Sequence, residues 1–264
     1  MRLASIGMAI AFACSTTTPA TAAVFTYVVT GTVVGDTSNQ GTAFGENVLG
    51  STFSARFEVD DAAPLALYAA DAGGSSAQGG GLIQDGTRPP VSAVLTINGK
   101  DYAIRTGDKN EPPACFPSGE CYGASSFIDD AGGVVKNVAA RQLDLFAGYD
   151  SSDSCCADYG SYSSSSTDDL RFTLADAAFI VPDYRQAGTF GVTGTGSFLT
   201  ARSYFDRSGG IDYDTRLSFA ATSLRVDGAV PEPATWALMI LGFGLVGAVL
   251  RQGRVPAGRP ARTA

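Results

Sequence analysis

Phe53, Ala55, Phe57 and Val59 alternate with Ser54, Arg56 and Glu58. Apolar residues at every second position line one face of an extended strand and leave the other face polar. The same alternation returns at Ala93, Leu95 and Ile97, and resumes at Tyr102 and Ile104 after Asn98-Gly99. That dipeptide predicts a tight hairpin, since a type I′ turn needs positive φ at both central residues. Further strands are predicted over 140–147, 169–175, 189–200 and 215–226. In the last, Leu217, Phe219 and Ala221 change phase to Leu224 and Val226, as a bulge would produce. The Gly- and Ser-rich stretches 72–81 and 150–167 are predicted as loops, because they offer no packed face. No convincing helix period appears between 24 and 228. About eight to ten strands, each with one apolar face, imply two sheets packed face to face in one domain. The expected fold is therefore all-β, a β-sandwich or jelly roll. "GSTFSAR" at 50 and "GSFLTAR" at 196 look alike, but strand composition alone accounts for that.

Both ends are set apart from this body. Met1-Arg2, the apolar run Leu3 to Cys14 and the small residues of "PATAAV" form a three-part secretory signal over 1–23. Ala20 and Ala22 give the small-x-small pattern, with cleavage after Ala22 or Ala23. Export through the Sec machinery follows. Four cysteines then remain, Cys115, Cys121, Cys155 and Cys156. An even number in an exported chain points to disulfides. Bonding Cys155 to its neighbour Cys156 strains the bridge geometry, so bridges joining the 115–121 loop to the 155–156 loop are expected. Their spacing suits zinc poorly.

The chemistry available to the body is narrow. The chain has no histidine, which removes Ser-His-Asp and Cys-His nucleophile systems and His-ligated metals. Between Val24 and Val230 there are 25 acidic and 13 basic residues. Such a balance disfavours nucleic acid and anionic membrane surfaces as partners. Paired carboxylates at Asp60-Asp61, Asp129-Asp130, Asp150 with Asp153, and Asp168-Asp169 allow a remote reading as an aspartate-based glycoside hydrolase. Sugar platforms would then have to come from Tyr122, Tyr149, Tyr159, Tyr162 or Tyr184, since the only tryptophan is Trp236. Asp150, Asp153, Asp168 and Asp169 are also calcium candidates, although no stretch matches the acidic loop of a Ca²⁺ hand. No cofactor is expected otherwise, and no catalytic residue is assigned.

A second tripartite pattern occupies 229–254. Pro231-Glu232-Pro233 resists helix and sheet, since each proline lacks an N–H and restrains its predecessor. Seventeen uncharged residues follow from Ala234 to Leu250, with Trp236 near one edge and Arg251 and Arg254 beyond the other. As a helix this run spans about 25 Å, the short end of a membrane crossing, and the arginines fit the cytoplasmic side. Gly242, Gly244 and Gly247 spell G-x-G-x-x-G, but a dinucleotide site needs a preceding strand and a following acidic residue. Here the glycines read as small packing residues in lipid.

Pro231, Glu232, Pro233, Trp236, the short apolar helix and the Arg251/Arg254 stop together resemble the PEP-CTERM sorting signal, in its PEPxxWA form. The tail over 255–264, with Pro256 and Pro260, is longer than that pattern usually carries. The resemblance implies recognition by an exosortase, a membrane-embedded cysteine protease, and cleavage around Pro-Glu-Pro. It also implies a Gram-negative exporter of exopolysaccharide, with the protein anchored transiently in the inner membrane and then placed at the cell surface or in the matrix. The leading expectation is a non-enzymatic surface or biofilm-matrix protein over 24–228. The alternative is a carbohydrate- or calcium-binding module acting on exopolysaccharide. A concave sheet face with exposed tyrosines would favour that alternative, and two converging carboxylates in a cleft would favour a hydrolase.

Overall fold

The computed structural model describes residues 24–39, 41–82, 88–104, 125–155, 162–206 and 209–228. These residues form β1 (Val24–Asp36), β2 (Thr52–Asp60), β3 (Leu67–Asp71), β4 (Gly74–Leu82), β5 (Val91–Ile97) and β6 (Lys100–Ala103). They continue as β7 (Ser125–Asn137), β8 (Gln142–Cys155), β9 (Tyr162–Ala175), β10 (Gly188–Phe190), β11 (Thr193–Asp206) and β12 (Gly209–Asp227). The described residues are all-β, as the alternation predicts, and their strands pair antiparallel.

Two separate sheets were the expectation; the strands instead join into one. Its order is β3-β4-β7-β8-β9-β11-β12-β1-β2-β5-β6, with β10 on β12. The sheet encloses its core by curling. Phe53 on β2 and Phe172 on β9 sit four strand positions apart, about 19 Å in a flat sheet. Their rings stack with centroids 5.4 Å apart. Phe219 of β12 packs against both, 4.6 Å from Phe53 and 5.5 Å from Phe172. The result is sandwich-like packing inside a continuous hydrogen-bond ladder.

The apolar alternation explains which residues fill that space. Phe53, Ala55, Phe57 and Val59 are buried, as are Ala93, Leu95 and Ile97. Asn98 and Gly99 have φ of 53° and 72°, and Ile97 pairs with Lys100 across the two-residue turn. The phase change in β12 is a bulge: Thr30 pairs with Ser223 and Gly31 with Ala221, so Thr222 is the extra residue. The predicted strand 189–200 is interrupted opposite the same region, where β10 ends and β11 begins around the buried Val192.

Both predicted loops contain strand. Residues 74–82 are β4, and their glycines serve close backbone approach. A Cβ at Gly80, where φ is +114°, would lie 2.0 Å from the Asp130 carbonyl oxygen. Such a strand carries no side-chain alternation for a sequence to display. Likewise β8 runs on to Cys155 and β9 starts at Tyr162, with Ser151 opposite Ser166 and Ser152 opposite Ser165. Here serine on both faces hides the period while the backbone ladder continues.

The first and last strands of the body are neighbours. β1 pairs with β12 from Thr26↔Asp227 to Asp36↔Leu217. Both chain ends of the body therefore leave the sheet at one end, with the β11–β12 hairpin at the other.

Candidate functional site

Neighbouring strands place side chains in rows across the inner face. One row is Gly132, Ala147, Leu170, Phe198 and Leu217, wholly apolar. The next row toward the β11–β12 hairpin is Asp130, Tyr149, Asp168, Thr200 and Thr215. All five are buried, with Asp130 and Asp168 each only 1% exposed. The following row is Ile128, Ser151, Ser166, Arg202 and Tyr213. The inner face thus changes from hydrocarbon to hydroxyl, carboxyl and guanidinium within two rows.

Tyr102 of β6 reaches this polar row from the facing part of the curl. Its phenol donates to Asp168 Oδ1 at 2.7 Å and lies 2.7 Å from Thr200 Oγ1. Arg202 Nη2 donates to the same phenolic oxygen at 3.3 Å. The Tyr102 ring packs edge-on against Phe198, with centroids 5.1 Å apart. Residues 41–50 close the core beside it. Phe44 is buried against Phe198, and the Ala43 amide donates to Thr215 Oγ1 at 3.1 Å.

Between these pieces lies a cleft of about 240 Å³. The buried Thr200 and Thr215 line it with Gly41, Thr42, Ala43 and Tyr102, the exposed Arg202 and Tyr213 stand at its rim, and Asp214, paired with Arg216, completes the lining. Tyr213 is half exposed, as are Tyr204 and Ile211 in the next row. Phe205 points to the other face, where its ring covers Gly210; a Cβ there would lie 2.3 Å from the ring. Neither Asp130 nor Asp168 lines the cleft. They are separated by Tyr149 on the intervening strand, two strand spacings or roughly 10 Å.

The opposite end of the core is closed by the loop 176–187, which polar contacts fix in place. Tyr27 donates to the Tyr184 carbonyl at 2.6 Å, and Ser75 donates to the Pro182 carbonyl at 2.7 Å. Lys136, buried in β7, donates to the Asp183 carbonyl at 3.1 Å and to Gln186 Oε1 at 2.6 Å. Burial lowers the Lys136 pKa, against the opposing pull of Asp183. Arg185 pairs with Asp61 at 3.1 Å. These contacts give that end a structural task.

Sequence-predicted site residues scatter. Asp168 faces inward, whereas Asp169 faces outward and receives Arg171 Nε at 2.8 Å. Asp150 is exposed, opposite Asp129 on β7 and Thr167 on β9. Asp153 lies on β8, and its side chain is outside the described residues. Consecutive strand residues point to opposite faces, so Asp168 and Asp169 do not share a site. Among the described residues no group of three or more His, Cys, Asp and Glu side chains gathers to hold a metal ion. Of the tyrosines considered as sugar platforms, Tyr149 and Tyr184 are buried and unsuitable. Tyr122, Tyr159 and the Tyr162 side chain lie outside the described residues, as do Cys115, Cys121, Cys156 and the Cys155 side chain. The cleft residues Thr200, Arg202 and Tyr213 were missed. Their trace in the sequence is the inner-face series Phe198, Thr200, Arg202, Tyr204, which turns polar while keeping period two.

Ala20, Ala22 and Ala23 precede the described residues, and Pro231, Glu232, Pro233, Trp236, Arg251 and Arg254 follow them. No helix among the described residues is long and apolar enough to cross a membrane; 234–250 lies beyond them. The description of known families matches here: residues 229–254 match the PEP-CTERM protein-sorting motif. The chain carries a PEP-CTERM sorting signal. The motif marks the chain for export, membrane anchoring and exosortase processing on the way to the surface. The match begins two residues after the end of β12 at Asp227, so the signal follows a central strand of the sheet almost directly. No curated protein and no solved structure matches the chain, and the β body stands without an assigned family.

Proposed function

We propose that the protein is a non-enzymatic component of the cell surface or biofilm matrix of a Gram-negative bacterium. It enters the Sec machinery through residues 1–23, is held by 234–250, and is released or passed on by an exosortase acting around Pro231-Glu232-Pro233. The sorting motif at 229–254 carries this reading. The pairing of the first and last strands of the body adds to it. With Val24 and Asp227 at one end, the β11–β12 hairpin stands away from the membrane by the length of β12, roughly 60 Å at ~3.3 Å per residue. The clefted end then faces the extracellular polysaccharide. Asp130 and Asp168 lie outside the cleft lining, and the carboxylate that does line it, Asp214, is engaged by Arg216 and the Asn39 amide, which favours binding or structure over hydrolysis. No resident metal or cofactor belongs to this reading.

Fractionation of a host that has an exosortase and makes exopolysaccharide tests it. The wild-type protein is expected with the surface and matrix, while the Pro231→Ala/Glu232→Ala/Pro233→Ala variant stays with the inner membrane. The matrix polysaccharide should keep its chain length when incubated with the protein. A variant that reaches the matrix as the wild type does, or shortening of the polysaccharide, contradicts the proposal.

A further inference from the structure

We infer that the cleft beside the β11–β12 hairpin is a binding site for a neutral saccharide. The inference rests on the cleft itself and stands whether or not the sorting scheme holds. Three features point to this ligand class. First, the lining offers both kinds of hydrogen-bonding group: the Thr200 and Thr215 hydroxyls, the Asp214 carboxylate, and the Arg202 guanidinium at the rim. A guanidinium has five N–H donors, and Arg202 directs one to Tyr102. A ligand dense in hydroxyls satisfies such a mixed set at close spacing.

Second, aromatic surface is left beside the polar groups. Tyr213 is 49% exposed and Tyr204 is 44% exposed, in adjacent rows of the inner face. The exposed Phe205 is accounted for by Gly210 beneath it, whereas the Tyr213 ring forms part of the cleft rim. Pyranose rings have one apolar C–H face and a polar perimeter, and an amphipathic tyrosine ring beside donors matches both. Third, the cleft of about 240 Å³ is smaller than the ~300–1,000 Å³ usual for enclosed small-molecule pockets and is partly open to solvent. It suits a short stretch of a longer chain that continues into solvent. The acidic body, with 25 acidic against 13 basic residues from Val24 to Val230, repels polyanions. Neutral sugars are therefore favoured over uronic-acid polymers.

The full-length protein in a non-glycosidic detergent is titrated calorimetrically with neutral gluco-, manno- and galacto-configured hexasaccharides and with a polymannuronate hexamer. At least one neutral hexasaccharide is expected to bind saturably. Tyr213→Ala should weaken it at least tenfold, and Arg202→Gln should weaken it comparably. Tyr213 is a rim residue, so Tyr213→Ala is expected to retain the wild-type melting midpoint. Absence of binding by every neutral probe overturns the inference. So does binding that both variants leave unchanged, binding confined to the polymannuronate hexamer, or capture of peptides in place of the sugars.

Discussion

The phenolic oxygen of Tyr102 on β6 lies 2.7 Å from Oδ1 of Asp168 on β9. The two strands stand at widely separated positions in the sheet order, so this hydrogen bond closes the curl as well as serving a buried carboxyl group. Tyr102→Phe keeps the ring against Phe198 and removes only the oxygen. Loss of a donor to a buried polar group is expected to cost about 1–3 kcal/mol. Urea unfolding should show a lower midpoint with an unchanged slope.

The inner face also depends on glycine where two strands must admit a large ring. A Cβ at Gly196 of β11 would lie 2.3 Å from the Phe172 ring, which stacks on Phe53 and Phe219. Gly196→Ala therefore forces that aromatic cluster to move. An overpacking cost of about 1–3 kcal/mol is expected, measured as a drop in melting midpoint. A midpoint equal to or above the wild type would contradict this account of the core.

Alkaline stability should turn on Tyr27. Its hydroxyl is buried and bonded to the Tyr184 carbonyl, and burial first, then the nearby Tyr184 and Asp183, raise its pKa above the ordinary 10.0. With the folded pKa raised, the stabilisation is fully present below pH 10 and is lost as pH climbs toward the folded value. Tyr27→Phe should cost about 1 kcal/mol at neutral pH through the lost hydrogen bond. Its melting midpoint should then fall less steeply than that of the wild type above pH 10. Some slope persists, because burial also raises Tyr68 and Tyr184.

The β5–β6 turn offers a backbone test. Asn98 sits at a φ of 53°, which glycine and asparagine accept and β-branched residues resist. Asn98→Gly should be nearly neutral, whereas Asn98→Val should lower stability by roughly 1 kcal/mol or more. Equal melting midpoints for the two variants would remove the turn from the argument.

Legibility in the sequence followed the physical source of each feature. Phe53–Val59, Asn98-Gly99 and the phase change before Leu224 were readable, because side-chain alternation and turn chemistry are local. β4 was not, since Gly80 is required by the Asp130 carbonyl of a strand some fifty residues away. The ends of β8 and β9 were hidden by serine on both faces. Continuity of the sheet was invisible for a similar reason: alternation shows that β2 and β9 each bury a face, and only pairing through β11, β12 and β1 shows that they share one ladder. The cleft needed that register as well, because Tyr102, Thr200 and Tyr213 come together across three strands. The sorting signal needed none of it. Pro231-Glu232-Pro233, Trp236 and the arginines are read as a linear segment, and the motif match at 229–254 agrees with that reading.

The most direct test of the central claim is the intact mass of the protein recovered from exosortase-containing and exosortase-deficient hosts. With the enzyme present, the mass should correspond to a chain starting near Ala23 or Val24 and ending around Pro231-Glu232-Pro233. Without it, the mass should include 234–250 and the arginines beyond. The same mass from both hosts, extending past Arg254, would contradict exosortase sorting.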